Sequence, residues 1–233
     1  MALDTGGAAA ARAFAEAENL NDVPPALQRI MGWDDALWSR ARRPQFPSLL
    51  DEDHRVARLY GITNVPMAVW IDERGHIVRP PECAGAFDGI RQLDLATFSL
   101  PEDVAARGRA VRTHYVDAVR DWARKGSRSV YALSPEEVER RLQAPSERDS
   151  LATAYFQIGA SLYRHGEAQA AQTFLDEAVR LCPEAWTFRR QKIAVASEQA
   201  VGDFAATPEY WEAVNELGDR PYYSPIDMPG MPR

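Results

Sequence analysis

Apolar positions recur along this chain with two different periods, and the change from one to the other divides it. Over 101–125, Val104, Ala105, Val111, Tyr115, Val119 and Trp122 share one face at helical spacing. The same period predicts helix for most of the chain beyond residue 125. Ser134-Pro135-Glu136-Glu137 reads as a helix start, with Ser as N-cap, Pro at the first helical position and Glu at the third. A polar break at 146–149 precedes a helical pair over 151–181, and a further helix is expected over 186–201. From Gly218 on, Pro221, Pro225, Pro229 and Pro232 interrupt any period, which predicts an extended, poorly packed tail.

Before residue 100 the elements are short. Residues 53–60 fit a helix with Val56, Leu59 and Tyr60 on one side, ended by Gly61. Residues 67–71, Met-Ala-Val-Trp-Ile, are continuously apolar, which predicts a strand covered on both faces. Asp72-Glu73-Arg74-Gly75 supplies a hairpin turn, His76-Ile77-Val78 a returning strand, and Pro80-Pro81 a stop. Upstream, Ala2-Leu3-Asp4 resembles a strand end, capped by Asp4 or Thr5 into a helix over 8–17. Residues 19–25 break that helix, and one or two more fit 26–43. The chain therefore reads as α+β, with an α/β segment over 1–100, a helical domain over 101–217 and a Pro-rich tail over 218–233.

Composition narrows the function classes. Of 233 residues, 45% are hydrophobic and 26% charged, the balance of an ordinary soluble protein. A net charge of −7 argues against nucleic-acid binding, which relies on surplus Lys and Arg. The Arg clusters at 40–43 and 120–128 read as solvated helix faces. No apolar run approaches the roughly 20 residues of a membrane span, and residues 1–20 lack a secretory pattern. With only two cysteines, a reducing cytoplasm is the expected location. His54, His76, His114 and His165 are dispersed, so no metal is expected, and Gly6-Gly7 lacks the rest of a phosphate loop. No cofactor is expected either. Trp70 reads as core; Trp33, Trp38, Trp122, Trp186 and Trp211 read as core or interhelical contacts.

Within 152–185, Tyr155, Gly159 and Leu162 are followed by Gly166, Ala171, Leu175 and Ala178, with Pro183 closing the pattern. This spacing resembles one tetratricopeptide repeat of about 34 residues. Gly159 and Ala171 would let two antiparallel helices approach closely, and Ala178 would leave room for the next. The resemblance implies a helical hairpin that binds an extended peptide in an exposed groove lined by side chains from both helices of 151–181, provided that face is not packed against 186–201 or the long helix. A single repeat needs stacked neighbours to bury its faces, and 186–201 is the candidate cap.

Residues 46–82, FPSLLDEDHRVARLYGITNVPMAVWIDERGHIVRPPE, combine an Asp, a short helix ending Tyr60-Gly61, the Val65-Pro66 pair and a strand ending Ile71-Asp72. In that order they resemble the redoxin group of the thioredoxin-like proteins, which includes the TlpA/ResA-like thiol–disulfide oxidoreductases and the peroxiredoxins. The resemblance implies a cis peptide bond at Val65-Pro66, with Val65 offering backbone hydrogen bonds to an extended substrate and Pro66 shaping that surface. The implied partner is an extended peptide or a protein thiol or disulfide. The family's Cys-x-x-Cys unit is absent, so the implied thioredoxin-like domain is incomplete. Two explanations present themselves: an N-terminally truncated member, which is favoured, or a variant that has lost the chemistry. An apolar strand with one short partner also predicts an oligomer or partner covering the open sheet edge.

No catalytic residue is assigned. Disulfide exchange needs an accessible, low-pKa thiolate with a resolving partner. Cys83 follows the second strand and reads as a partly buried spectator, and Cys182, just before Pro183, reads as a small buried residue. Two functions stand: an inactive or truncated redoxin-family protein, or a non-catalytic interaction module built on the helical hairpin.

Overall fold

The computed structural model describes residues 47, 49–97, 99–142, 144–197 and 207–232. Within them lie seven α-helices and one two-stranded antiparallel sheet, an α+β composition as the sequence predicts. The elements expected over 2–43, with Trp33, Trp38 and the Gly6-Gly7 turn, lie outside the described residues. No described helix is long and apolar enough to cross a membrane. The chain forms two compact units, neither continuous in sequence. Among the described residues one comprises 66–97, 99–142 and 217–232, and the other 47, 49–65, 144–197 and 207–216.

The first unit is built on a hairpin of β1 (Met67–Ile71) and β2 (Ile77–Cys83). Asp72 closes the turn: its Oδ1 accepts from the backbone of Arg74 at 2.9 Å and of His76 at 2.8 Å. Those donors hold its carboxyl below the usual carboxylate range. Gly75 completes the turn at φ 84°, a conformation that favours glycine. β2 departs from expectation. It continues through Pro80 and Pro81 to Cys83, because the pairing bulges there. Ala68 pairs with Glu82 and Trp70 with Arg79, so three steps on β2 oppose two on β1. A bulge removes the need for ladder donors that proline lacks.

β1 departs too. Only Trp70 is buried, Met67 to Val69 are half-buried, and Ile71 is exposed. An apolar run marked both faces as covered, whereas among the described residues β1 has β2 as its one partner and a partly open surface. Trp70 meets helix α2 (Glu102–Lys125). Its indole lies edge-on to Tyr115 and stacked on Trp122, and its Nε1 donates to the Tyr115 hydroxyl at 2.9 Å. Helix α3 (Pro135–Arg141) starts as predicted, with the Ser134 Oγ accepting from the Glu137 amide.

The Pro-rich tail is not loosely packed. Met228 is buried with Trp70, Tyr115 and Ala118, and Ile226 and Met231 pack on the same cluster. Tyr222 is also buried. Backbone that cannot form regular structure is held here by side chains: His114 Nε2 lies 2.8 Å from the Pro229 carbonyl, and the Tyr222 amide donates to Asp88. Proline spacing reports missing periodicity, and it is silent about such anchors.

The second unit carries α1 (Arg55–Leu59), α4 (Glu147–Arg164), α5 (Ala168–Leu181), α6 (Trp186–Ser197) and α7 (Pro208–Asn215). The polar stretch read as a break at 146–149 is the start of α4. Ser146 and Asp149 form a reciprocal capping box there. Helices α4 and α5 make an antiparallel hairpin that turns at Gly166, φ 84°. Phe156, Ala171, Leu175 and Ala178 form its interior, and Val195 of α6 joins them. Gly159 permits that approach: a Cβ there would lie 2.8 Å from Leu175 Cγ and 3.1 Å from the Ala171 carbonyl, so the neighbours would have to shift.

Candidate functional site

Along the sequence, Val65 ends a segment of one unit and Pro66 begins a segment of the other. The short path into them is well anchored. Asp51 accepts from the Arg55 and Ala57 amides at 2.8 and 2.9 Å, which caps α1, and His54 enters that helix at φ 51°. Gly61, at φ 65°, leaves it as the sequence predicts. The Val65 carbonyl accepts from Arg190 Nη2 at 3.2 Å, and its amide donates to Asn64 Oδ1 at 2.8 Å. The Pro66 carbonyl accepts from the Ala84 amide at 3.1 Å. The backbone groups assigned to a substrate are thus engaged within the chain, and a substrate would compete with Arg190 and Asn64 for Val65.

Neither thiol is arranged for nucleophilic work. Cys83 and Cys182 are both free and buried. Burial raises both thiols, Cys182 up to about 12, and neighbouring carboxylates (Glu82 and Asp88; Glu184 and Asp149) push the same way. At neutral pH each is a neutral thiol, the opposite of an activated cysteine.

Asp149, Cys182 and Glu184 bring ligand-type atoms within 4.8 Å of one another, a grouping that a search for His and Cys spacings misses. Its members have other occupations. Asp149 is committed to the capping box, and Arg148 bridges Glu184 at 2.6 Å and Asp149 at 3.3 Å. An arginine already supplies the positive charge that the two carboxylates attract.

The hairpin α4–α5 offers one candidate surface. Phe188 of α6 stacks on Phe156 with centroids 4.5 Å apart, and Val195 packs into the same cluster, so α6 caps the face that α4 and α5 share, and that face is not free as the groove expectation requires. On α4, Leu151 and Ile158 stay half exposed, with Tyr155 between them lying 6.0 Å from the Phe174 ring. This apolar stripe runs along a single helix face at positions i, i+4 and i+7.

A second feature went unseen in the sequence. In the sheet-bearing unit, a half-open cleft of about 1160 Å³ lies between α2, the 86–92 loop and the tail. Its floor is Arg79, fully buried. Arg79 donates to Glu82 through two parallel bonds and to the carbonyls of Tyr131 and Asp227 at 2.9 and 2.8 Å. Its guanidinium also lies 5.4 Å from the Trp70 ring centroid. The available signal was Arg79-x-x-Glu82 spanning two prolines, where only a bulge can turn the pair toward each other.

Comparison of the chain with protein-family models, with curated proteins and with solved structures gave no match.

Proposed function

We propose that this protein acts by binding and not by catalysis, as a non-catalytic interaction module whose α4–α5 hairpin is tetratricopeptide-like. The observation that carries this reading is the state of the two thiols: both are buried and both are raised by that burial, Cys182 to about 12. Disulfide exchange has no thiolate to begin from. The redoxin-like residues at 46–82 are then a matter of lineage, a thioredoxin-like segment that keeps the Val65-Pro66 loop and the hairpin without the cysteine pair. The ligand is an extended peptide lying across Leu151, Tyr155 and Ile158, the apolar stripe that α6 leaves exposed. Gly159 and the small residues Ala171 and Ala178 support it by holding the two helices in close contact.

A peptide array of random extended sequences, probed with the labelled full chain, tests this. The expected result is a consensus bound with about micromolar affinity and lost in Leu151→Glu and Ile158→Glu. Absence of any consensus, or a consensus bound equally by both variants, contradicts the reading.

A further inference from the structure

The cleft over Arg79 is far from neutral in its chemistry, and its charges are almost all spent. Arg79 is paired with Glu82 at 2.7 Å. Arg141 is paired with Glu137 and with Asp227. Asp88 is held by Arg91 at 3.1 Å and by the Tyr222 amide. One charged lining residue remains. Arg107, exposed on α2, lies with its guanidinium 4.7 Å from the Phe87 ring centroid, and no carboxylate among the described residues lies within ion-pair distance of it. Arg107 is thus the one charged lining residue whose donors are not already taken up by a carboxylate among the described residues.

Phe87 lies beneath Arg107, and the cleft is also lined by the apolar Val111, Val130, Met228 and Met231, beside the polar Gln92 and Ser224. Val130 stays 71% exposed, on a lining where a ligand would cover it. A guanidinium presents paired donors that match a carboxylate, and an aromatic face beneath it fixes the plane of that fork. Clefts of several hundred cubic ångströms with apolar walls and few polar groups are the usual form of a small-molecule site.

We propose that this cleft binds a small amphipathic carboxylate, with the carboxylate on Arg107 and an aromatic or aliphatic body against Phe87, Val111 and Val130. The proposal lies beyond the peptide-binding reading, because its residues belong to the other unit, and either can fail without the other.

Isothermal titration of the full chain with 4-phenylbutyrate, and separately with 4-phenyl-1-butanol, tests it. Saturable binding of the acid is expected at millimolar concentration or below. The alcohol and the Arg107→Gln variant should each weaken it about tenfold, roughly 1.4 kcal/mol. Arg120→Gln, on the same helix but paired with Asp117, should leave it within about twofold. No saturable binding, equal binding of acid and alcohol, or equal loss in Arg107→Gln and Arg120→Gln would each overturn the proposal. The alcohol needs no substitution, so the test stands even if a variant folds poorly.

Discussion

Arg79 and Glu82 face each other across a proline bulge, Nε to Oε1 at 2.8 Å and Nη2 to Oε2 at 2.7 Å. The arginine is fully buried, and its remaining bonds hold the carbonyls of Tyr131 and Asp227. One side chain therefore ties the hairpin, the segment before α3 and the tail. Removing its counter-charge leaves a buried cation unpaired. Glu82→Leu should cost about 3–5 kcal/mol, measured as a fall in the urea midpoint with little change in slope. A loss under about 1 kcal/mol would place the pair among ordinary surface bridges.

Gly159 lies against Leu175, where a Cβ would come within 2.8 Å of its Cγ. Gly159→Ala gains roughly 1 kcal/mol in helix propensity but forces the α4–α5 hairpin apart, at about 1–3 kcal/mol. Net destabilisation is expected. In a Leu175→Ala background the same substitution should become neutral or stabilising, because the clashing atoms are gone. A double-mutant cycle by chemical denaturation checks the coupling.

This pair marks where the sequence was legible. Gly159, Ala171 and Ala178 stand at the spacing that close helices require, and the helices are there. Ser134 and Gly61 are local signals, and both act locally, one as N-cap and the other as helix terminator. What escaped the sequence depends on distant partners. β1 is apolar throughout, yet burial is decided by what covers it, and only Trp70 is buried. Pro80-Pro81 stops a regular strand but not a bulged one. The tail owes its order to Asp88, Arg79 and His114, which lie more than a hundred residues upstream. The Arg107 cleft is legible only once Phe87, α2 and the tail stand together.

His54 is buried at the start of α1, edge-on to Phe156 with centroids 4.8 Å apart. Burial lowers its pKa to about 4, and Arg164 adds to the effect while Asp51 and Asp53 oppose it. The folded value is below the unfolded value of 6.5, so between the two the unfolded chain binds the additional proton. The stability from this group is whole above about pH 6.5 and is lost progressively as pH falls from there to about 4. Its size is on the order of 2–4 kcal/mol. Urea titrations from neutral to acid pH should show that slope. His54→Asn, which tolerates the left-handed backbone, should flatten it; an unchanged slope would remove His54 as the cause.

Both thiols are buried and neutral at pH 7, so Ellman's reagent should label neither in the native protein within minutes. Both should react at once in denaturant. Prompt native labelling lost in Cys83→Ser, or in Cys182→Ser, would mean that thiol is accessible and active.

Binding in place of disulfide chemistry is the central claim, and an insulin-reduction assay with dithiothreitol tests it most directly. The expected rate is the uncatalysed background, unchanged by Cys83→Ser. Turnover clearly above background and abolished by Cys83→Ser would contradict it.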